Sequence, residues 1–451
     1  MFSVPSPPAA IRSYRKIQNL KLKIESRGIA TNRDDFLNFT FCVLSFGFLL
    51  KLDIINSHTS NGSQSGRLVS LDAYRGAIML MMASSGLGLA QVARLHADSG
   101  LWRFIGRQTE HAQWAGFTLW DIIQPAFMFM VGIALPWSIA KRRARGQSFR
   151  SMFAHAIWRA LVLVLLAVFL TSAWSRQTVW SFNNVLAQIG LGYPILFLLA
   201  FTKPRIQWLV AFGILFVYWL AFAIYPLPAA DFDWVRVGVP ENWSFLTDFA
   251  AHWEKNANLA AAFDHWFLNL FPREEPFVFS VGGYQTLNFV PSIATMIFGL
   301  LAGELLRSKQ AMTRKLKWLI LFGVVGIIAG NLIALVGLCP IIKRIWTPSW
   351  AICSAGWVTL ILAGFVAIVE WRGFKRWTFP FVIVGLNPIT LYCMWQLMGG
   401  FIRENVKRHI GLHVFESFGE AYSPVMERAA VLLVLWLIVL WMYRRKIFLR
   451  I

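Results

Sequence analysis

Ten apolar stretches, each about the length of a bilayer-crossing helix, divide this chain, and short connections join most of them. The reading "ALVLVLLAVFL" over 160–170 is typical of their interiors. A run of about 18 or more apolar residues with few charges crosses a hydrocarbon core of roughly 30 Å as a helix. Inside that core every backbone N–H and C=O must be satisfied within the segment, so the chain is confined to helices. The fold class expected is all-α, a polytopic membrane helical bundle of 10–11 transmembrane helices.

Spans are expected at about 76–94, 117–139, 153–172, 183–201, 206–225, 285–306, 316–338, 350–369, 378–398 and 428–443. An eleventh candidate, "FLNFTFCVLSFGFLL" (36–50), is short for a bilayer. Residues 1–66 read as an N-terminal extension holding that possible span, and 67–451 as the transmembrane domain. Within that domain, 226–284 is a long, acidic and aromatic connection expected to hold short interfacial helices. Only 14% of residues are charged, against about 25% in soluble proteins.

The net charge of +21 raises nucleic acid as a partner, but its distribution argues for none. Lys and Arg concentrate in "KRRARGQSFR" (141–150), "KPR" (203–205), "RSKQAMTRKLK" (307–317), "RGFKR" (372–376) and "RRK" (444–446). With these spans all five connections fall on one side, which the positive-inside rule makes cytoplasmic. The other side receives 95–116, 173–182, 226–284, 339–349 and 399–427. The extension runs against this pattern. If 36–50 spans, Arg12, Arg15, Lys16, Lys21, Lys23, Arg27 and Arg33 lie outside. Either the extension is unusual, or 36–50 is not a regular span, or the protein starts near Leu68 or Val69. Cys42, Cys339, Cys353 and Cys393 show no metal-ligand spacing and are expected to be small buried hydrophobes.

Ionisable and amide groups at membrane depth are costly and therefore mark candidate sites. In "RLVSLDAYRG" (67–76), Arg67, Asp72 and Arg75 form either a cytoplasmic anchor, with Asp72 and Arg75 paired one turn apart, or a phosphate-binding cluster. "TEHAQWAGFTLWD" (109–121) sets His111 and Trp114 on one face if it is helical, with Asp121 about two turns on. It is either an aromatic belt with a capping aspartate, or a histidine that a carboxylate orients for base or nucleophile chemistry. "GLNPITLY" (385–392) puts Asn387 before Pro388 inside a span. The helix should break there, with Asn387 capping the break or binding a polar ligand. Arg159 in "HAIWRAL" either snorkels to the inner surface or faces a ligand. Gln188 in "VLAQIGLGY" either bonds across helices or does the same. "CPIIKRIWTPSW" (339–350) reads as an outer loop with an aromatic anchor. A ligand-facing role for Lys343 and Arg344, two cations against the positive-inside bias, is the alternative.

Taken in order, these clusters resemble the heparan-alpha-glucosaminide N-acetyltransferase family and its bacterial relatives. "RLVSLDAYRG" and "HAQWAGFTLWDIIQPAFMFMVG" (111–132) carry the resemblance, and "IWRAL", "QIGLGY" and "GLNPITLY" support it more loosely. It covers the chain from about Arg67 onward, most densely over 67–201. Relatives usually carry an asparagine about ten residues after the R-G, where this chain has Gly86 beside Ser84 and Ser85.

The resemblance implies an eleven-span transferase that passes an acetyl group from cytosolic acetyl-CoA to an amino sugar or glycan on the opposite, periplasmic side of a bacterial inner membrane. His111 then takes the catalytic role, with Asp121 orienting it. Arg67, Asp72, Arg75, Arg159, Gln188 and Asn387 are the residues expected to bind the acetyl-CoA donor. No metal is called for, and a homodimer is entertained as the assembly. The competing class is a transporter or flippase of a sugar or lipid-linked glycan, which would bind substrate without acyl transfer.

Overall fold

The computed structural model describes residues 68–449. The N-terminal extension, the candidate span 36–50, Cys42 and Arg67 lie outside those residues. Among the described residues the regular structure is helical, apart from one isolated antiparallel bridge between Ala115 and Ile342.

Among the described residues, seven helices are long and apolar enough to cross a membrane. We label the main helices α1 (Val69–Ala83), α2 (Leu89–Leu95), α3 (Gly100–Thr109), α4 (Ile123–Ala144), α5 (Phe149–Ser172), α6 (Val185–Leu199), α7 (Pro204–Ala223), α8 (Leu259–Phe267), α9 (Phe289–Arg307), α10 (Met312–Leu335), α11 (Pro348–Val366), α12 (Phe379–Leu386), α13 (Pro388–Ile410), α14 (Leu412–Glu416) and α15 (Ser423–Arg444). The seven full spans are built on α4, α5, α7, α9, α10, α11 and α15. A short apolar helix, α6, and two bent pairs account for the other three expected spans.

The first bend corrects the expectation of one regular span over 76–94, whereas the second is the break expected at Asn387 within 378–398. After α1 the chain turns by 42°, because Ser85, Gly86, Leu87 and Gly88 all adopt positive φ. That conformation is incompatible with a continuing right-handed helix and is favourable only for glycine. The second bend, of 70°, falls at Asn387. Pro388 offers no N–H and crowds the residue before it, so Asn387 leaves the helical region at φ −129°, ψ 49°. The sequence signalled this second break; the first was missed.

The span that carries Asp121 is held by close backbone packing. Leu119–Ile122 forms a 3-10 turn leading into α4, and α4 packs along α9 through glycines. A Cβ on Gly132 would lie 1.9 Å from the Met296 carbonyl oxygen, and one on Gly299 would lie 2.0 Å from that of Phe129. Without a hydrophobic driving force between helices in lipid, such backbone approach is what binds two spans together.

Two apolar clusters support the bundle. One centres on Tyr74, Phe129, Ile133, Leu319 and Leu362. The other gathers Trp114, Tyr218, Phe222, Trp243, Trp253, Cys339 and Ile342 at the ends of the spans away from the basic connections. The segment 226–284 contributes Trp243 and Trp253 to the second cluster and carries a short helix, α8. Cys339, Cys353 and Cys393 are free and buried, as expected.

Candidate functional site at the head of a span

Residues 110–118 do not form a helix, so His111 and Trp114 share no helical face. Their backbone is used across loops instead. The Gly116 N–H donates to the Ile341 carbonyl at 2.9 Å beside the Ala115–Ile342 bridge. The Ala112 N–H donates to Asp121 Oδ2 at 3.2 Å. Nor is Trp114 a membrane-belt residue. It is buried in the second apolar cluster, and its indole N–H donates to the Trp253 carbonyl at 3.1 Å. This anchor and the bridge fix the loop that presents His111.

Asp121 is at the centre of the arrangement. Its side chain is 1% exposed, whereas that of His111 is 40% exposed. His111 Nδ1 lies 2.7 Å from Asp121 Oδ1. Thr118 Oγ1 lies 2.9 Å from Oδ2 and 2.7 Å from the Glu110 carbonyl oxygen. Lys343, its side chain 5% exposed, places Nζ 3.2 Å from Asp121 Oδ1 and 3.0 Å from His111 Nδ1. An isolated carboxylate buried this deeply would cost several kcal/mol, which the ammonium and these donors offset. The first-turn position at the start of a span adds the favourable end of the helix dipole.

A 2.7 Å separation between a carboxylate oxygen and a ring nitrogen requires a proton between them, which assigns the Nδ1–H tautomer. Nε2 then keeps its lone pair. Burial, opposed by the hydrogen bond to Asp121 and reinforced by Lys343 and Arg344, holds the His111 pKa below the ordinary imidazole value. Arg344 braces the same loop. Its Nη2 donates to the Ala112 carbonyl at 3.1 Å and its Nη1 to the Gly282 carbonyl.

One turn along from Asp121, Gln124 Nε2 donates to Gln188 Oε1 at 2.8 Å. Gln188 is fully buried, and among the described residues its own Nε2 has no partner. The structure therefore joins Gln188 to a side chain three residues along from Asp121, and adds Gln124.

The other expected residues lie elsewhere. Asp72 and Arg75 pair at 3.6 Å, and Arg75 also reaches the Gly385 carbonyl at 3.4 Å. Two residues further on, Asn387 donates to the Ile447 carbonyl at 2.9 Å and accepts from the Leu449 N–H at 3.0 Å. Its amide is thus committed to pinning the segment after α15. Arg159 stacks on Tyr193, 4.6 Å from the ring centre, and donates to its hydroxyl at 3.2 Å. Ser84 and Ser85, beside the glycine that replaces the relatives' asparagine, turn elsewhere. Ser84 donates to the Met81 carbonyl, and Ser85 accepts from Trp395.

Sequence reasoning did not assign Lys343 to the site. The available signal was a pair of cations on the side that should carry few.

No known family profile matches the chain. It is 22% identical over 380 residues to the heparan-alpha-glucosaminide N-acetyltransferase of Mus musculus, covering 75% of this chain and 55% of that protein. It is 22% identical over 436 residues to the Homo sapiens protein of the same name, covering 85% of this chain and 59% of that one. The chain therefore spans a little over half the length of the curated relatives it matches.

Proposed function

We propose that this chain, a distant relative of the heparan-alpha-glucosaminide N-acetyltransferases, is itself a transmembrane acyltransferase whose reacting atom is Nε2 of His111. The observation that carries this reading is the His111–Asp121 hydrogen bond at the end of a span opposite the basic connection 141–150. An imidazole with a fixed tautomer, an available lone pair and partial exposure suits acyl transfer.

The donor in this reading is acetyl-CoA, supplied from the face of the basic connections. Arg75, with Arg67 before it, receives the phosphates, since guanidinium groups suit phosphate oxygens. The thioester reaches the polar pair Gln124–Gln188, where the unpartnered Gln188 Nε2 donates to the thioester carbonyl oxygen as negative charge develops on it. At Nε2 two routes use the same lone pair. In the direct route, Nε2 takes the proton of the acceptor amine as the N–C bond forms and the C–S bond breaks, and then returns it to the CoA thiolate. In the covalent route, Nε2 displaces the thiolate, and the acceptor amine then displaces the imidazole, its proton passing through the freed Nε2 to the CoA thiolate. The acceptor assigned is an amino sugar or glycan on the side of His111.

Incubating the purified protein with radiolabelled acetyl-CoA and glucosamine tests this reading. It expects labelled N-acetylated product. Saturable glucosamine uptake without CoA, and no labelled product, would instead support a transporter.

A further inference from the structure

His111 and Asp121 form two members of an arrangement familiar from hydrolases, where a carboxylate orients a histidine and also stabilises its charged form. The third member here differs in kind. Lys343 Nζ lies 3.2 Å from the same Asp121 oxygen that faces the ring, and 3.0 Å from the ring nitrogen itself. Because Nδ1 carries the proton shared with Asp121, the ammonium cannot donate to Nδ1; its hydrogen bond goes to the carboxylate. The ring therefore faces an ion pair and not a lone anion.

We propose that Lys343 is a positioning residue that neutralises Asp121, so that the carboxylate fixes the Nδ1–H tautomer of His111 without drawing a second proton onto the ring. The placement is built into the fold. The loop bearing Lys343 is joined to the His111 loop by the Ala115–Ile342 bridge and the Gly116–Ile341 hydrogen bond. The adjacent Arg344 braces both the Ala112 and Gly282 carbonyls.

A buried lysine on the side that the positive-inside rule leaves poor in cations thus acquires a physical reason. A second proton on the ring would set two cations about 3 Å apart at a largely buried site, where Coulomb repulsion is strong. The other charged groups about His111 act consistently. Arg344 adds positive charge, whereas Glu110 is engaged by Arg94. Tyr284 presents its ring to both Lys343 and Arg344. This inference rests on the assignment of Nε2 as the reacting atom, because only a neutral ring offers that lone pair.

The test uses diethyl pyrocarbonate, which modifies neutral imidazole and needs no transferase activity to report. The full chain in detergent is modified across pH 5–8, and the His111 peptide is quantified by mass spectrometry. Relative to wild type, Lys343→Met should move the midpoint to higher pH, and Lys343→Arg should leave it near the wild-type value. The fall in modification on going from pH 8 to pH 6 should be about threefold steeper in Lys343→Met than in wild type. Asp121→Asn should move the midpoint the opposite way, because the cation then stands uncompensated. This second variant decides the matter should Lys343→Met fail to fold. An unchanged or lowered midpoint in Lys343→Met, or an unchanged or raised one in Asp121→Asn, would overturn the proposal. An inactive wild type with these opposite shifts would sink the acyltransferase reading and leave the Lys343 assignment standing.

Discussion

At the scale of the residue, the proposed chemistry depends on which proton sits on which nitrogen of His111. Asp121 fixes Nδ1–H, and burial with the neighbouring Lys343 and Arg344 keeps the ring from charging. Any chemistry at Nε2 needs the neutral ring, so the sign of the pH dependence follows. A histidine held below the ordinary value stays neutral as pH falls past about 6.5. The acid limb of acetyl transfer in the wild-type protein should therefore lie below about 6.5, measured as kcat/KM against pH. A limb at or above that value would mean that burial and the neighbouring cations do not govern the ring. His111 and Asp121 were legible in the sequence because they sit ten residues apart in one recognisable stretch. Lys343 was not, since it is 222 residues from Asp121 and only the pairing of two loops brings them together. Its one trace was an out-of-place positive charge.

At the scale of the element, the site sits at the head of α4, and α4 is held in the bundle by its contact with α9. The backbones meet at Gly132 and Gly299, where any side chain would collide with a carbonyl. Gly299→Val should destabilise the protein by ~3 kcal/mol through forced separation of the two spans. Gly364→Val, at a position with nothing within 4 Å of an added Cβ, should be close to neutral. Thermal unfolding midpoints in detergent check this, and equal effects of the two substitutions would contradict the packing account. Element boundaries were largely readable, because each span is a composition signal about twenty residues long. The break at Asn387 was readable as well, since proline acts through its own covalent structure. The bend at Ser85–Gly88 was not, because its positive φ values include Ser85 and Leu87, residues with no intrinsic preference for that region. Likewise, Trp114 spaced three from His111 suggested a helical face, but the tertiary hydrogen bonds of the loop overrode that local pattern.

At the scale of the whole molecule, charge and helix direction fix a sidedness. α4 runs from the His111 loop to the basic connection 141–150, so the two ends should lie on opposite faces of the membrane. Gln113→Cys and Gln147→Cys, each in a Cys42→Ser background, should label with a membrane-impermeant thiol reagent from opposite sides of sealed vesicles. Cys339, Cys353 and Cys393 are buried and should contribute little background. Labelling of both positions from one side would break the topology on which the transfer scheme rests. With that topology, the proposed scheme has donor and acceptor meet at His111 near one face after the donor has entered from the other.

The most direct test supplies labelled acetyl-CoA to the basic face of proteoliposomes and glucosamine to the opposite face, for the wild-type protein and His111→Ala. The account predicts labelled N-acetylglucosamine on the acceptor side with the wild type, and none above background with His111→Ala. Full acetyl transfer by His111→Ala would contradict it.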